Sequence, residues 1–269
     1  MTQGSLTFIG LGLYDEKDIS LKGLEEIKKC DKVFAEFYTA KLNGTDINKI
    51  EKTIGKPIEV INREETEKGD RILNIAREKN VIFLTCGDPM TATTHVDIRL
   101  RAAKMGIKTK IIHGSSIVTA VPGLLGLQNY KFGRTTTLAF PEKDYFPTSP
   151  YIIIKENKEI GLHTLVLLDI QADEKRYMTA NEGINLLLKM EEKHKENIIT
   201  ERDVVCVVAR AGSSEPIVIA DTIKDIINRD FGPPLHTLVI PGKLHFMEVE
   251  AIQILALLPA QQVGKLQKL

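Results

Sequence analysis

The sequence predicts an α/β protein of two domains. The N-terminal domain is expected to hold a mostly parallel sheet with flanking helices, the C-terminal one a mixed sheet with helices, and the ligand cleft is expected between them. Three observations carry that expectation. Short apolar runs alternate with longer stretches whose apolar residues recur at helical spacing. The chain changes character at 131–150, a stretch rich in Thr, Phe, Tyr and Pro. Beyond it, two strand-like runs are joined only by Ala211-Gly212-Ser213-Ser214-Glu215-Pro216, a connection so short that it demands a hairpin.

Residues 5–9, 32–35, 81–85 and 108–112 read as buried strands bounded by turn or helix signals. Between them, 21–29, 67–79 and 94–105 read as helices, with Ser20 as the N-cap of the first. Strand and helix in alternation imply crossovers, and crossovers imply a parallel sheet. The boundary is placed at the start of the Pro-rich stretch, giving domains 1–130 and 131–269. In the second domain, 163–168, 204–210, 217–220 and 236–240 read as strands, and 181–194, 222–228 and 244–257 as helices. No internal repeat or low-complexity tract interrupts this order.

Composition narrows the function classes. A chain of 269 residues, 43% apolar and 27% charged, is globular and can bury a sizeable core. Its 36 basic and 36 acidic residues cancel, so no overall field favours a nucleic acid or an anionic membrane as partner. No apolar run reaches the roughly 18 residues of a membrane span. Met1-Thr2-Gln3-Gly4-Ser5 enters the first strand without the basic segment and cleavage site of a secretory signal. Cys30, Cys86 and Cys206 are odd in number and form no C-x-x-C pair, which predicts reduced thiols and a cytoplasmic location. The six histidines have no metal-ligand spacing, and H-E-x-x-H, G-x-S-x-G and P-loop motifs are lacking. No metal is expected, and serine-nucleophile or P-loop chemistry is disfavoured.

In open α/β sheets ligands collect beyond the carboxyl ends of the strands, so the residues after each strand matter most. After the first comes Gly10-Leu11-Gly12-Leu13-Tyr14-Asp15. A dinucleotide fingerprint would need glycine where Asp15 stands, which disfavours NAD; a tight turn alone also explains the glycines. After the third comes Cys86-Gly87-Asp88-Pro89-Met90-Thr91. Asp88 could accept hydrogen bonds from a ribose or an amine, or merely start the following helix. His95 reads more simply as a polar residue at a helix start than as a base. After the fourth comes His113-Gly114-Ser115-Ser116, whose hydroxyls fit an N-cap or a ligand's polar end.

Read together, these motifs go further. Gly10-Leu11-Gly12-Leu13 after one strand and Gly87-Asp88-Pro89 after another resemble the tetrapyrrole-methylase-like methyltransferases. Longer strings, in order along the whole chain, resemble the diphthine synthase family in its archaeal form. They include Phe8-Ile9-Gly10-Leu11-Gly12-Leu13-Tyr14-Asp15, Ala35-Glu36-Phe37-Tyr38-Thr39, Phe146-Pro147-Thr148-Ser149, Tyr177-Met178-Thr179-Ala180-Asn181-Glu182 and Pro241-Gly242-Lys243-Leu244-His245.

That resemblance implies S-adenosyl-L-methionine as cofactor, with S-adenosyl-L-homocysteine as product. Its binding positions fall at Leu13, Asp88, Thr91, Ser116, Ile117, Leu168, Ala211 and His236. Thr91 stands where that family often has Val, so a backbone contact is expected there. The implied reaction is N-methylation of an aminocarboxypropyl-histidine on translation elongation factor 2, giving diphthine in diphthamide biosynthesis. Elongation factor 2 is then the protein substrate and a homodimer the expected assembly. Glu36, Tyr38 and His95 are the candidates for the acceptor side. The alternatives are a methylase of a corrin or sirohaem precursor or of ribosomal RNA, and a non-catalytic nucleotide-binding protein.

Overall fold

The computed structural model describes residues 4–142 and 146–266. The reading of Met1-Thr2-Gln3, and of positions 143–145 within the Pro-rich stretch, lies outside the described residues. The chain divides into two compact units. The first comprises Met1–Ile117 with Gln171–Lys175 and Gly212–Ser214; the second comprises Val118–Ile170, Arg176–Ala211 and Glu215–Leu269.

The first unit runs β1 (Ser5–Gly10), α1 (Leu21–Lys29), β2 (Lys32–Glu36), α2 (Ile47–Ile54), β3 (Glu59–Val60), α3 (Arg63–Lys68), α4 (Asp70–Ala76), β4 (Asn80–Thr85), α5 (His95–Lys104) and β5 (Lys108–Ile112). Its strands form one sheet in the order β3-β2-β4-β1-β5, parallel throughout. Alternate side chains on each strand go to opposite faces, and both faces are buried. Ile9, Val33, Ala35, Ile82 and Leu84 meet Ile27 of α1 and Ile50 and Ile54 of α2. Leu6, Phe8, Phe34, Val81 and Phe83 meet Ile72 and Leu73 of α4 and Ile98 of α5. Burial on both faces is why the inner strands β1, β2 and β4 read as largely apolar runs rather than as alternating ones; β5, expected as a buried strand, instead lies at the sheet edge with Lys108 and Lys110 exposed.

Three local features depart from the expected elements, the two-residue strand β3 among them. The single helix expected over 67–79 is two helices, because Gly69 adopts a left-handed conformation (φ +65°) that ends α3. α3 itself starts earlier than expected, where Asn62 and Glu65 form a capping box. Helix α2 is unanticipated; Asp46 caps its N-terminus and Gly55 (φ +72°) closes it.

The topology also fixes where a crevice opens. α1 follows β1 and packs on one face, whereas α5 follows β4 and packs on the other. β1 and β4 are neighbours, so the chain leaves their carboxyl ends in opposite directions. That divergence is the switch point at which open α/β sheets receive ligands.

From residue 117 onward the elements are α6 (Ile117–Leu125), β6 (Thr136–Leu138), α7 (Ser149–Glu159), β7 (Thr164–Leu168), β8 (Ile170–Gln171), β9 (Arg176–Tyr177), α8 (Ala180–His194), β10 (Val204–Ala209), β11 (Ile217–Thr222), α9 (Ile223–Ile226), β12 (His236–Ile240), α10 (Phe246–Leu255) and α11 (Ala260–Leu266). β8 and β9 pair as a small ribbon, and the main sheet has the order β11-β10-β12-β7-β6. Only β6–β7 is parallel among its pairs, so the sheet is mixed, as expected. The short connection at 211–216 does close a hairpin, with register from Val204↔Thr222 to Ala209↔Ile217. Leu138, Tyr151, Val166, Ile184, Leu187 and Leu238 form the centre of this unit's core. The Pro-rich stretch contributes β6 and the first turn of α7, where Pro150 occupies a position with no helical hydrogen bond to lose. No helix among the described residues is long and apolar enough to cross a membrane.

Candidate functional site

The loops after β1, β4 and β5 meet at the switch point with their backbones in close approach. The Gly87 N–H donates to the Gly12 carbonyl at 2.7 Å, and the Gly12 N–H returns a bond to Gly87 at 3.4 Å. Gly12 (φ +83°) and Gly87 (φ +68°) both hold left-handed conformations that side chains resist. A Cβ on Gly10 would lie 2.7 Å from the Gly114 nitrogen, and one on Gly114 would lie 2.8 Å from the Gly10 carbonyl carbon. Gly87 differs, because a Cβ there would enter open space and meet nothing nearer than the Ser115 carbonyl at 4.0 Å. Close approach of three loops, with room in front of one, makes a backbone-walled cradle.

Asp88 stands at its edge. Its Oδ1 accepts the Met90 N–H at 2.9 Å and the Thr91 hydroxyl at 3.3 Å. The Thr91 side chain thus helps to orient Asp88, which leaves its backbone for the ligand contact expected of it. Asp88 Oδ2 faces His113 Nδ1 at 2.6 Å. Across the crevice, the Leu13 and Tyr14 N–H groups both donate to Asp18 Oδ2, at 3.0 and 2.7 Å, which fixes the β1 loop. Ser116 is buried and immediately precedes Ile117, the first residue of α6. The structure thus gathers Leu13, Asp88, Thr91, Ser116 and Ile117 within one unit.

Beneath α5 lies a second polar cluster. Glu36 ends β2 in register with Thr85, the last residue of β4. It is wholly buried and accepts the N–H groups of Tyr38 and Thr39 at 3.2 and 3.1 Å and the hydroxyls of Thr39 and Thr85. His95, also wholly buried, sits with Nδ1 3.1 Å from the Pro89 carbonyl and Nε2 3.7 Å from Glu36. A carbonyl can only accept, so Nδ1 carries the hydrogen and Nε2 presents a lone pair. Burial lowers the His95 pKa, and Glu36 opposes that shift. The ring is therefore neutral near pH 7 and ties α5 to the Asp88 loop. Tyr38 is buried beside this cluster, and burial followed by the charge of Glu36 pushes its pKa up.

The remaining expected cofactor positions lie in the second unit. Leu168 ends β7 and Ala211 follows the β10 end; both are buried. His236 opens β12 with Nδ1 accepting the Ala180 N–H and Nε2 3.1 Å from the Pro233 carbonyl. Both nitrogens are engaged within the unit, so His236 has only its ring and backbone to offer a ligand. Burial pushes its pKa down and keeps it neutral. Sequence reasoning overlooked His113 as a partner of Asp88. The signal available was its place directly after β5, level with the two other loops. Among the described residues no cluster of three His, Cys, Asp or Glu is placed to hold a metal ion.

Known proteins resemble this chain along nearly its full length. A family model described as tetrapyrrole (corrin/porphyrin) methylases matches residues 5–227. A diphthine synthase of Methanococcus maripaludis is 56% identical over 251 residues, covering 93% of this chain and 98% of that protein. One of Methanocaldococcus jannaschii is 55% identical over 253 residues, with the same two coverages of 93% and 98%. A crystal structure of diphthine synthase superposes with a TM-score of 0.88 at 39% identity, over 98% of this chain and 99% of the other.

Proposed function

The chain belongs to the tetrapyrrole (corrin/porphyrin) methylases and, within them, to the diphthine synthases, and on that premise we propose that it N-methylates the aminocarboxypropyl-histidine of translation elongation factor 2. It is a methyltransferase that acts in diphthamide biosynthesis. The observation that carries the proposal is the identity above one half with diphthine synthases, sustained over 93% of the chain.

The first-unit cradle suits S-adenosyl-L-methionine. Open space in front of Gly87 leaves room for a ligand backed by main chain, and the neighbouring Asp88 carboxylate accepts from hydroxyl or ammonium groups. Leu13, Asp88, Thr91, Ser116 and Ile117 are the proposed contacts here, with Leu168, Ala211 and His236 from the second unit. When bound, the cofactor supplies a methyl group already activated on a sulfonium sulfur. The chain's own task is then to place the acceptor amine in line and to strip water from it. Glu36, Tyr38 and His95 serve the acceptor side from within the wall, by holding the β2 end and the Asp88 loop in place.

A second copy of the chain is the proposed partner of α10, on which Phe246, Met247, Ile254 and Leu255 are each exposed. A cytoplasmic location fits the three cysteines, all free and buried. The reaction is tested by chromatographic assay of S-adenosyl-L-homocysteine. Release is expected only with elongation factor 2 bearing the modified histidine. Equal release with the unmodified factor would contradict the acceptor assignment.

A further inference from the structure

His113 follows β5 directly, next to a tightly packed turn. Its neighbour Gly114 is wedged against the main chain of Gly10, leaving no space even for a Cβ. The side chain is different: it is 71% exposed and projects to Asp88, whose side chain is only 9% exposed. A single 2.6 Å contact joins Nδ1 to Asp88 Oδ2. Because a carboxylate accepts, Nδ1 carries the hydrogen, in the neutral ring as in the cation.

The carboxylate is shared out atom by atom. Oδ1 is committed to its own loop, through the Met90 N–H and the Thr91 hydroxyl. Each carboxylate oxygen takes about two donors. Oδ2 therefore retains one acceptor position beside the bond from His113, and it has no bond to its own loop of the kind that holds Oδ1. Without His113 the Oδ1 bonds would still tether the group, but Oδ2 would swing about them and its open acceptor position would have no fixed direction.

Resting on the assignment of Asp88 to cofactor binding, we propose that His113 is a positioning residue of the cofactor site, which holds Asp88 Oδ2 so that its remaining acceptor position meets a donor group of the ligand. The matching ligand chemistry is a hydroxyl or an ammonium, as on a ribose or an amino-acid moiety. His113 acts through Asp88 and touches neither the methyl group nor the acceptor.

The test is titration calorimetry of S-adenosyl-L-homocysteine against the wild-type protein and the variants His113→Ala, His113→Asn and Asp88→Asn at pH 8. Charge-assisted hydrogen bonds are among the strongest of their kind, so His113→Ala is expected to weaken binding about tenfold. His113→Asn places an amide N–H near the position of Nδ1–H and is expected to stay within about threefold of wild type. In steady-state assays KM for S-adenosyl-L-methionine rises for His113→Ala while kcat holds. Melting temperatures should be unchanged, since the side chain is mostly exposed. Wild-type or tighter binding by His113→Ala overturns the proposal, as does equal weakening in the Asn and Ala variants, which would mean that the donor is irrelevant. Wild-type affinity in Asp88→Asn overturns the underlying assignment of Asp88 and takes the proposal with it.

Discussion

Gly12 and Gly87 are 75 residues apart in sequence yet exchange a pair of backbone hydrogen bonds, one of them 2.7 Å long. The pair bridges the loops that leave β1 and β4 toward opposite faces of the sheet. The mouth of the crevice is thus braced by main chain, and at Gly12 a Cβ would collide with the Asp18 side chain.

Glycine substitutions should separate packing from strain. Gly10→Ala and Gly114→Ala drive a Cβ into neighbouring backbone, and neither loop can yield without breaking the brace. Each is expected to cost about 3 kcal/mol or more and to abolish cofactor binding. Gly87→Ala has open space and pays only for its left-handed conformation, about 1–2 kcal/mol. Urea unfolding of the three variants checks the order; equal losses would contradict it.

Glu248 should make stability depend on acid. It is wholly buried and accepts from Lys131 at 2.5 Å, His163 at 3.0 Å and the N–H groups of Gln128 and His245 at 3.0 and 2.8 Å. Burial alone would raise its pKa, but Lys131, these N–H groups and His163 outweigh it and hold the carboxyl at about 2. A depressed pKa stabilises the fold wherever the carboxylate is ionised in both states. The contribution is complete above about pH 5 and is lost as pH falls from there toward 2. Glu248→Gln should destabilise by about 3 kcal/mol at pH 7, and the gap to wild type should shrink at pH 3.

The Glu36 cluster should govern local opening. Glu36→Ala strands the N–H groups of Tyr38 and Thr39 and the hydroxyl of Thr85 in a buried region. A loss of about 3 kcal/mol is expected, with faster amide exchange at Tyr38 and Thr39. Hydrogen exchange unchanged at those two amides would show that the carboxylate does not hold the β2 end.

Thiol chemistry offers a simple check on the cores. Burial, with a lesser push from Glu36, raises the Cys86 pKa, and burial alone pushes Cys206 up to about 12. Neither should react with an aromatic disulfide reagent at pH 8 until the protein unfolds. Rapid labelling of either in the folded state would contradict its placement.

Much of this architecture was legible in the sequence because burial on both faces leaves the inner strands β1, β2 and β4 as largely apolar runs. The hairpin of β10 and β11 was legible from loop length alone. What escaped was decided by single residues or by tertiary pairing. Gly69 splits a helix whose apolar spacing runs straight through it. β3 spans two residues and exists only because Phe34 and Ala35 offer partners for Glu59 and Val60. At the site, Asp88 was visible as an acidic residue at a strand end. Its bond to His113 was not, because 25 residues and one crossover separate them. Glu36 and His95 likewise meet only through the register of β2 with β4 and the docking of α5.

The most direct test of the assignment is the intact mass of elongation factor 2 bearing the aminocarboxypropyl-histidine, after incubation with this protein and S-adenosyl-L-methionine. A gain in whole methyl units, localised to that histidine, is the predicted result. No gain, in the presence of demonstrated cofactor binding, would contradict it and move the acceptor to a corrin or sirohaem precursor or to ribosomal RNA.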